Sequence, residues 1–194
     1  MPRSLVSNGL WRRENSGSIY LLIIRGLLEI YILRHGIAVP GGTPGYSEEE
    51  RPLTEECREK MAKAAKGIAE IVGKVDSILT SPLKRAHETA LIVAQALDEK
   101  EKVEVFEPLR SGTPLKVLLQ ALAHYKGAER LMVVGHEPDL SLFASALIGA
   151  EGSAVALKKG GFCSILVNEL PPKEPGVLQA LLTPGQLRAV GRKG

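Results

Sequence analysis

Four short strand patterns alternate with helical patterns along the chain, and this alternation limits the possible folds more than any other feature. The strand patterns are runs of apolar and β-branched residues at 28–33, 75–79, 103–106 and 131–134. The fourth is an unbroken apolar run, which is typical of a strand buried on both faces of a parallel sheet. The alternation predicts an α/β fold, namely a three-layer α/β/α sandwich around a largely parallel central sheet.

Apolar residues recur at helical spacing in the intervals between these strands. Thr54 predicts the N-cap of the first helix, which begins with Glu55 and Glu56. Pro138 suits the first position of the fourth helix. The predicted helices cover residues 55–72, 83–97, 114–125, the segment that begins at Pro138, and a short closing helix at 184–190. Two further strands are predicted within 153–167 and at 177–182.

The first 27 residues differ in composition from the rest of the chain. Residues 1–26 contain four arginines and one acid, so the chain's 25 basic and 22 acidic residues leave 21 of each sign for the remainder. An apolar run at residues 19–24 ends at Arg25 and is too short to span a bilayer. We therefore predict that residues 1–27 are a loose extension or a mis-assigned start, and that residues 28–194 form one cytoplasmic domain.

Composition argues against several classes of function. The body carries no net charge and the chain has only 4% aromatic residues, which is poorly suited to coating nucleic acid. Neither Cys57 nor Cys163 belongs to a CxxC pair, so the sequence predicts no zinc site. Two free thiols in a reducing compartment are favoured over one long-range disulfide. We expect no metal, no cofactor, and no nucleic-acid or membrane partner.

Chemically active side chains follow the predicted strands at the points where the strands end. Arg34 and His35 follow the first strand, and Arg85 lies in the first turn of the helix after the second. Glu107 follows the third strand and His136 follows the fourth. Sites in open α/β sheets form beyond the carboxyl ends of the strands, so we expect these residues to lie close together.

These residue types suit a tetrahedral dianion. Guanidinium groups match phosphate oxygens in bidentate fashion, and an anion beside Arg85 would offset its unfavourable place at a helix N-terminus. Neighbouring cations would lower the pKa of His35 and keep it neutral, so its ring nitrogen could attack phosphorus. Arg34, Arg85 and His136 would hold the equatorial oxygens, which is most of what phosphoryl transfer requires.

Three sequence blocks resemble those of the histidine phosphatase superfamily, which also contains the cofactor-dependent phosphoglycerate mutases. Leu33-Arg34-His35-Gly36 resembles the Arg-His-Gly signature of that family. Residues 81–90 (SPLKRAHETA) resemble its second block, and residues 134–138 (VGHEP) resemble its third. The resemblance implies a phosphoglycerate-mutase-like fold, with His35 as the nucleophile and with Arg34, Arg85 and His136 as the phosphate pocket.

Within the superfamily, the chain is most similar to the small phosphohistidine phosphatases of the SixA type. Ile37 and Ala38 follow the Arg-His-Gly signature, where mutases have Glu or Gln and then Ser or Thr. Arg85 and His136 are only 51 positions apart (136 − 85), which leaves no room for the long lid insertion of mutases. The resemblance thus implies a phosphatase that needs neither metal nor cofactor.

The proton donor is the role that the sequence assigns least firmly. Glu107 is the best positional candidate for protonating the leaving group, and a solvated loop glutamate is the alternative. The small branch is thought to lack a dedicated acid at this position. An imidazole leaving group can take a proton on its own nitrogen. Cleavage of phosphohistidine would therefore depend less on a dedicated acid than cleavage of an ester.

We therefore expect a phosphatase that acts on phosphohistidine in a protein, such as a phosphotransfer domain, through a covalent phosphohistidine on His35. A pocket without a lid fits a substrate carried by a bulky partner. Two alternatives stay open: a phosphatase of small phosphate esters, which a strong acid role for Glu107 would favour, and a phosphohistidine-binding module with little turnover. A mutase is disfavoured because it needs a lid that protects its phosphoenzyme from water. We expect a monomer or a weak homodimer.

Overall fold

The computed structural model of the chain describes residues 27–192. Residues 1–26 of the predicted extension lie outside this range, so that prediction stays a prediction. The strands are β1 (Leu28–Arg34), β2 (Ser77–Thr80), β3 (Val103–Val105), β4 (Arg130–Gly135), β5 (Phe162–Val167) and β6 (Val177–Leu182). The α-helices are α1 (Glu55–Val72), α2 (Lys84–Leu97), α3 (Leu115–Leu122), α4 (Asp139–Leu147) and α5 (Pro184–Val190). Single 3₁₀ turns lie at Lys100–Lys102, Glu107–Leu109 and Ala123–Tyr125.

The six strands form one sheet in the order β3-β2-β4-β1-β5-β6. The pairs β3–β2, β2–β4 and β4–β1 are parallel, as the alternation of strands and helices requires. β5 runs antiparallel to both of its neighbours, β1 and β6. The predicted sheet, largely parallel, is confirmed, and β5 is the strand that runs in the opposite direction.

Helices cover both faces of the sheet and bury two separate apolar clusters. On one face, α1, α2 and α5 pack on alternate side chains of the central strands, among them Tyr31, Leu33, Met132 and Val134. On the other face, α3 and α4 pack on the intervening residues, among them Ile30, Ile32, Leu131 and Val133. Full burial of each such aliphatic side chain contributes about 1.5–3 kcal/mol to folding, so apolar packing on both faces of the sheet stabilises the three-layer arrangement. Within residues 27–192, none of the helices is both long and apolar enough to cross a membrane.

α1 begins where the sequence predicts and packs unusually closely on α5. The Thr54 side chain accepts a hydrogen bond from the backbone N–H of Cys57, which caps the helix as predicted. Gly67 lies where the two helices meet, because a Cβ atom there would be 2.0 Å from the carbonyl oxygen of Leu187. The glycine therefore allows α5 to lie against α1 and to complete this layer.

Two predicted boundaries differ from the structure. Residues 153–161, predicted as part of a strand, form a loop, and β5 begins only at Phe162. Gly160 has φ +72°, a left-handed conformation that a continuing strand does not adopt. α4 begins at Asp139, so Pro138 is its N-cap and not its first residue.

Candidate active site

The ends of β1, β2 and β4 lie side by side at the carboxyl end of the sheet. The pairing of β1 with β4 places Arg34 opposite Gly135, and the N–H of His35 donates to the carbonyl of Gly135 at 3.1 Å. The N–H of Ser81 donates to the carbonyl of Val134 at 2.9 Å. These hydrogen bonds hold the chain in register just beyond the strands, where the side chains of His35, Ser81 and His136 come together.

His35 is buried, and its contacts leave one ring nitrogen free. Its Nδ1 lies 2.6 Å from the carbonyl oxygen of Gly36. Because a carbonyl oxygen can only accept, Nδ1 carries the proton and Nε2 keeps its lone pair. Burial, followed by the positive charges of Arg85 and Arg34, lowers the pKa of His35 to about 4. At neutral pH the ring is therefore uncharged, and its Nε2 lone pair is free of a hydrogen-bond partner among the described residues.

The backbone after His35 lies too close to α1 for any residue but glycine. A Cβ atom on Gly36 would be 2.6 Å from the sulfur of Cys57. The N–H of Gly36 donates to the Thr89 hydroxyl at 3.1 Å, and the N–H of Ile37 points to the Cys57 sulfur at 2.9 Å. The carbonyl of His35 accepts from the N–H of Gly160 at 3.0 Å. His35 is thus fixed by neighbours on α1, on α2 and in the loop before β5.

His136 faces His35, with ring centroids 4.9 Å apart and ring planes at 52°. Its Nε2 lies 2.8 Å from the Ser81 hydroxyl, which also accepts from the N–H of Leu83. When the hydroxyl donates to Nε2, the proton of His136 resides on Nδ1, which is buried and has no partner within residues 27–192. Burial, then the charges of His35 and Arg85, lower the pKa of His136 to about 3. In that tautomer the Nδ1–H is a buried donor that has no partner among the described residues.

Two guanidinium groups complete the pocket. Arg34 donates from Nη1 to the carbonyl of Leu157 at 2.7 Å, while its buried Nε has no partner in the described part of the chain. Arg85, in the first turn of α2, is buried and donates from Nη1 to the backbone carbonyl of Glu48 at 2.8 Å. Its Nη2 lies 3.1 Å from the Glu48 carboxylate. The carboxylate occupies the position where the sequence led us to expect an anion.

Glu107 lies apart from these four side chains. It follows β3, which is separated from β1 by β2 and β4, and at the usual strand spacing this places their ends about 14 Å apart. Its carboxylate is exposed and forms an ion pair with Arg110, which also pairs with Glu49. Within residues 27–192, Glu107 makes no hydrogen bond or ion pair with His35, His136 or either pocket arginine. Its predicted role as proton donor has no support from its contacts.

Glu48 is the pocket residue that sequence reasoning missed. It lies in the loop between β1 and α1, and its carboxylate accepts from Arg51 Nε at 2.7 Å and pairs with Arg85. The hydrogen bond from Arg51, together with the charge of Arg85, holds the pKa of Glu48 below its ordinary value. In the sequence Glu48 is the first of three consecutive glutamates, and such a run predicts only a solvated loop. The sequence feature nearby that could have indicated an ordered Glu48 carboxylate is Arg51, a possible ion-pair partner three residues later.

Neither metal ligation nor disulfide chemistry is visible among the described residues. Cys57 and Cys163 are both free and buried. Residues 27–192 contain no group of three or more His, Cys, Asp or Glu side chains placed to hold a metal ion. The groups that the pocket brings together are a neutral imidazole, a second imidazole and two guanidinium groups.

Sequence comparison finds a family model and several proteins that match this chain. The family model of the histidine phosphatase superfamily (branch 1) matches residues 30–111. An uncharacterized protein of Picosynechococcus sp. is 34% identical over 142 residues, which are 71% of this chain and 84% of that protein. The mitochondrial serine/threonine-protein phosphatase Pgam5 of Drosophila pseudoobscura is 32% identical over 120 residues, which are 59% of this chain but only 40% of that longer protein.

Solved structures share the architecture. The protein histidine phosphatase SixA complexed with tungstate superposes with a TM-score of 0.72 at 21% identity, over 82% of this chain and 99% of that one. The alpha-ribazole phosphatase of Shigella flexneri gives 0.64 at 18% identity, over 81% and 97%. The phosphoglycerate mutase of Bacillus anthracis gives 0.61 at 13% identity, over 86% and 97%. At these identities the likeness establishes the fold and leaves the substrate open.

The sheet order, the helical layers and the pocket at the strand ends define a domain of the phosphoglycerate-mutase-like class, as predicted. The chain belongs to the histidine phosphatase superfamily. Membership supports a phosphatase as the class of enzyme, which agrees with the prediction at that level.

Proposed function

We propose that the protein is a phosphatase that removes the phosphoryl group from phosphohistidine in another protein, through a covalent intermediate on His35. The observation that carries the proposal is the state of His35: Nδ1 is tied to a carbonyl, so a neutral Nε2 lies free between two guanidinium groups and the His136 ring. A nucleophile held in this way needs only a phosphoryl group placed in line with it.

The proposed reaction has two steps. Nε2 of His35 attacks phosphorus while the P–N bond to the substrate imidazole breaks, and the bond's electron pair stays on the leaving nitrogen, which takes a proton. Water then attacks the phosphorus on His35, the new P–N bond breaks towards Nε2, and inorganic phosphate leaves. In both steps the charge on the equatorial oxygens is met by Arg34, Arg85 and the Nδ1–H of His136.

A cationic groove beside the pocket supports a protein as the substrate carrier. A cavity of about 400 Å³ begins at Ile37, two residues after the nucleophile, and is lined by Lys158, Lys159, Lys60 and Arg188. It shares the last two with a second cavity of about 590 Å³, whose lining adds three more cations: Lys63, Lys66 and Arg192. Neither lining contains an acidic side chain, although Lys60 pairs with Glu56 nearby. The groove fits an acidic face of a partner better than a small phosphate ester.

The cellular setting is part of the same proposal. Two buried, unpaired cysteines are typical of a reducing compartment, and phosphohistidine relays of the kind expected here carry phosphate between proteins of the cytoplasm. We therefore propose a cytoplasmic enzyme whose partner is a phosphohistidine-bearing phosphotransfer protein.

The test compares phosphate release from a phosphorylated phosphotransfer protein and from p-nitrophenyl phosphate, without added metal, for the wild type and for His35→Ala. The proposal expects efficient release from the protein, weak activity on the ester, and neither activity in the variant. Better activity on small esters would establish the small-ester alternative instead. Phosphohistidine binding without release, in the wild type and the variant alike, would establish a binding module.

The groove is tested separately with the double variant Lys63→Glu, Lys66→Glu. Both side chains are exposed on α1 and neither contacts the pocket side chains. The expected result is a KM for the phosphorylated protein raised about tenfold or more, with unchanged kinetics on p-nitrophenyl phosphate. An unchanged KM for the protein would remove the groove from the docking surface.

A further inference from the structure

The Glu48 carboxylate covers the outer side of the pocket. Its Oε1 lies 3.1 Å from Arg85 Nη2, and its backbone carbonyl accepts from Nη1 of the same guanidinium at 2.8 Å. The Arg85 side chain is only 7% exposed, whereas that of Glu48 is 61% exposed. The carboxylate therefore lies between a buried cation of the pocket and solvent.

Glu48 is held in this position from the other side as well. Arg51 donates from Nε to Oε2 at 2.7 Å, and a second hydrogen bond joins its Nη2 to Oε1. Arg51 also donates from Nη1 to the carbonyl of Val39 at 2.7 Å, so the guanidinium that orients Glu48 is itself anchored to the loop. Among the ion pairs of residues 27–192, the one between Glu48 and Arg85 alone involves one of the four side chains Arg34, His35, Arg85 and His136.

In-line transfer places the leaving atom near this carboxylate. The entering nucleophile and the leaving atom lie on opposite sides of the phosphorus. His35 is only 7% exposed, so the proposal places it on the inner side of the bound phosphoryl group. The leaving atom must then face the open side, where Glu48 lies beside the guanidinium that holds the phosphoryl oxygens.

We propose that Glu48 is the catalytic group that gives a proton to the leaving atom and later takes one from water. The inference rests on the proposed phosphatase activity and adds a residue to it. In the first step Nε2 of His35 bonds to phosphorus, the bond to the leaving nitrogen or oxygen breaks, and the proton of the Glu48 carboxyl moves to that atom. In the second step the resulting carboxylate takes a proton from the attacking water as the P–N bond to His35 breaks, which restores the carboxyl.

Substrate binding supplies the charge change that this role needs. In the free protein Arg51 and Arg85 face Glu48 and favour its ionised form, and neutral His136 is the third titratable group nearby. A bound phosphoryl group engages Arg85 and brings negative charge next to the carboxylate. Both effects raise the pKa of the carboxyl against the hydrogen bond from Arg51, which remains in place, and a phosphoryl group, whose second pKa is about 6, can carry the proton in.

The discriminating experiment measures how Glu48→Gln responds to the leaving group. Phosphoenzyme formation and phosphate release are followed by rapid quench for p-nitrophenyl phosphate and for phenyl phosphate. Nitrophenolate is a good leaving group that needs little protonation, whereas phenolate depends more on protonation by an acid. We expect formation from phenyl phosphate to fall about 100-fold or more and formation from the nitrophenyl ester to fall less than tenfold. With the nitrophenyl ester, phosphorylated His35 should accumulate in Glu48→Gln. Its hydrolysis by water would be slow, because the variant also lacks the carboxylate that takes a proton from the water.

Three further variants make the result specific. Glu49→Gln changes the adjacent residue, whose carboxylate pairs with Arg110 away from the pocket, and should behave like the wild type. Glu48→Asp keeps a carboxylate and should recover part of the lost rate. Glu107→Gln tests the sequence-based candidate directly. The thermal unfolding midpoint of each variant shows whether the fold is intact.

Several outcomes would overturn the proposal. Equal slowing of both esters by Glu48→Gln, with a raised KM and no accumulated phosphoenzyme, would mean that Glu48 only positions Arg85. Tighter phosphate binding with an undiminished rate would mean that it merely competes with substrate. A selective loss of rate on phenyl phosphate in Glu107→Gln, and not in Glu48→Gln, would transfer the role to Glu107. A wild type that forms no phosphoenzyme on His35 from a phosphorylated phosphotransfer protein would overturn the phosphatase activity itself, and this role with it.

Discussion

Acidification should weaken the folded protein by an amount that can be assigned to His35. The ring is buried beside two guanidinium groups, and its pKa falls to about 4 in the folded state, against an ordinary value of 6.5. Between these two values the unfolded chain binds a proton that the folded chain does not bind. The free energy of unfolding is therefore fully retained above pH 6.5 and falls as the pH drops through the window from 6.5 to 4.

The size of the loss follows from the same two values. At pH 5 an ordinary histidine is about 97% protonated, whereas His35 remains about 90% neutral. Integrated from pH 7 to pH 5, the difference in proton uptake corresponds to about 2 kcal/mol for this one residue. That is a substantial share of a typical domain's stability of about 5–15 kcal/mol, so it lies within reach of ordinary denaturation measurements.

The assay is urea unfolding of the wild type and of His35→Asn at pH 7 and at pH 5, in buffers free of phosphate. Asparagine is polar and does not titrate. Burial, the main cause of the lowered pKa of His136, is present in both proteins, so most of the His136 contribution cancels in the comparison. The wild type should lose about 2 kcal/mol more than the variant between the two pH values. Equal losses would show that His35 titrates near its ordinary value and would refute the argument for a neutral nucleophile held by burial.

Three more substitutions test other parts of the site and fold. Ser81→Ala leaves a His136 ring nitrogen without its partner, and should lower kcat about tenfold and stability by about 1–3 kcal/mol, measured by steady-state kinetics and urea unfolding. Gly67→Ala should lower the thermal midpoint by several degrees because α5 must move away, whereas Gly127→Ala, with open space around it, should not. Glu88→Ala removes the carboxylate by which α2 holds the segment before α1, and should lower the unfolding free energy by about 1–3 kcal/mol.

Residues that directly follow strands could be placed from the sequence, because a strand fixes where the next side chain goes. Strand patterns ending at Leu33 and Val134 locate His35 and His136 at one end of the sheet, and parallel pairing then brings the two rings together. The order of the strands is not contained in such patterns. Glu107 also follows a strand, but β3 lies at the edge of the sheet and Arg110 draws the carboxylate away.

Residues placed by loops could not be found in this way. Glu48 lies 13 residues beyond His35 in a segment without periodicity, and its position depends on Arg51 and on the fold of the loop. The sequence also could not predict that β5 is antiparallel to its neighbours, because a run of apolar residues has the same pattern in a parallel and in an antiparallel strand. Periodicity indicates which face of a helix or strand is buried, but it does not indicate the path that a loop takes between two elements.

The reversed direction of β5 makes one loop a natural place for new substrate preferences to evolve. Because β5 enters the sheet beside the end of β1, the residues before it pass over the pocket, where Leu157 and Gly160 already contact Arg34 and His35. Residues added between α4 and β5 would project over the two histidines and two arginines from outside, without a change in any of the strand ends. A longer loop there could narrow the mouth to small molecules, and a shorter one could widen it for larger partners, while the nucleophile and its anion-binding groups stay as they are.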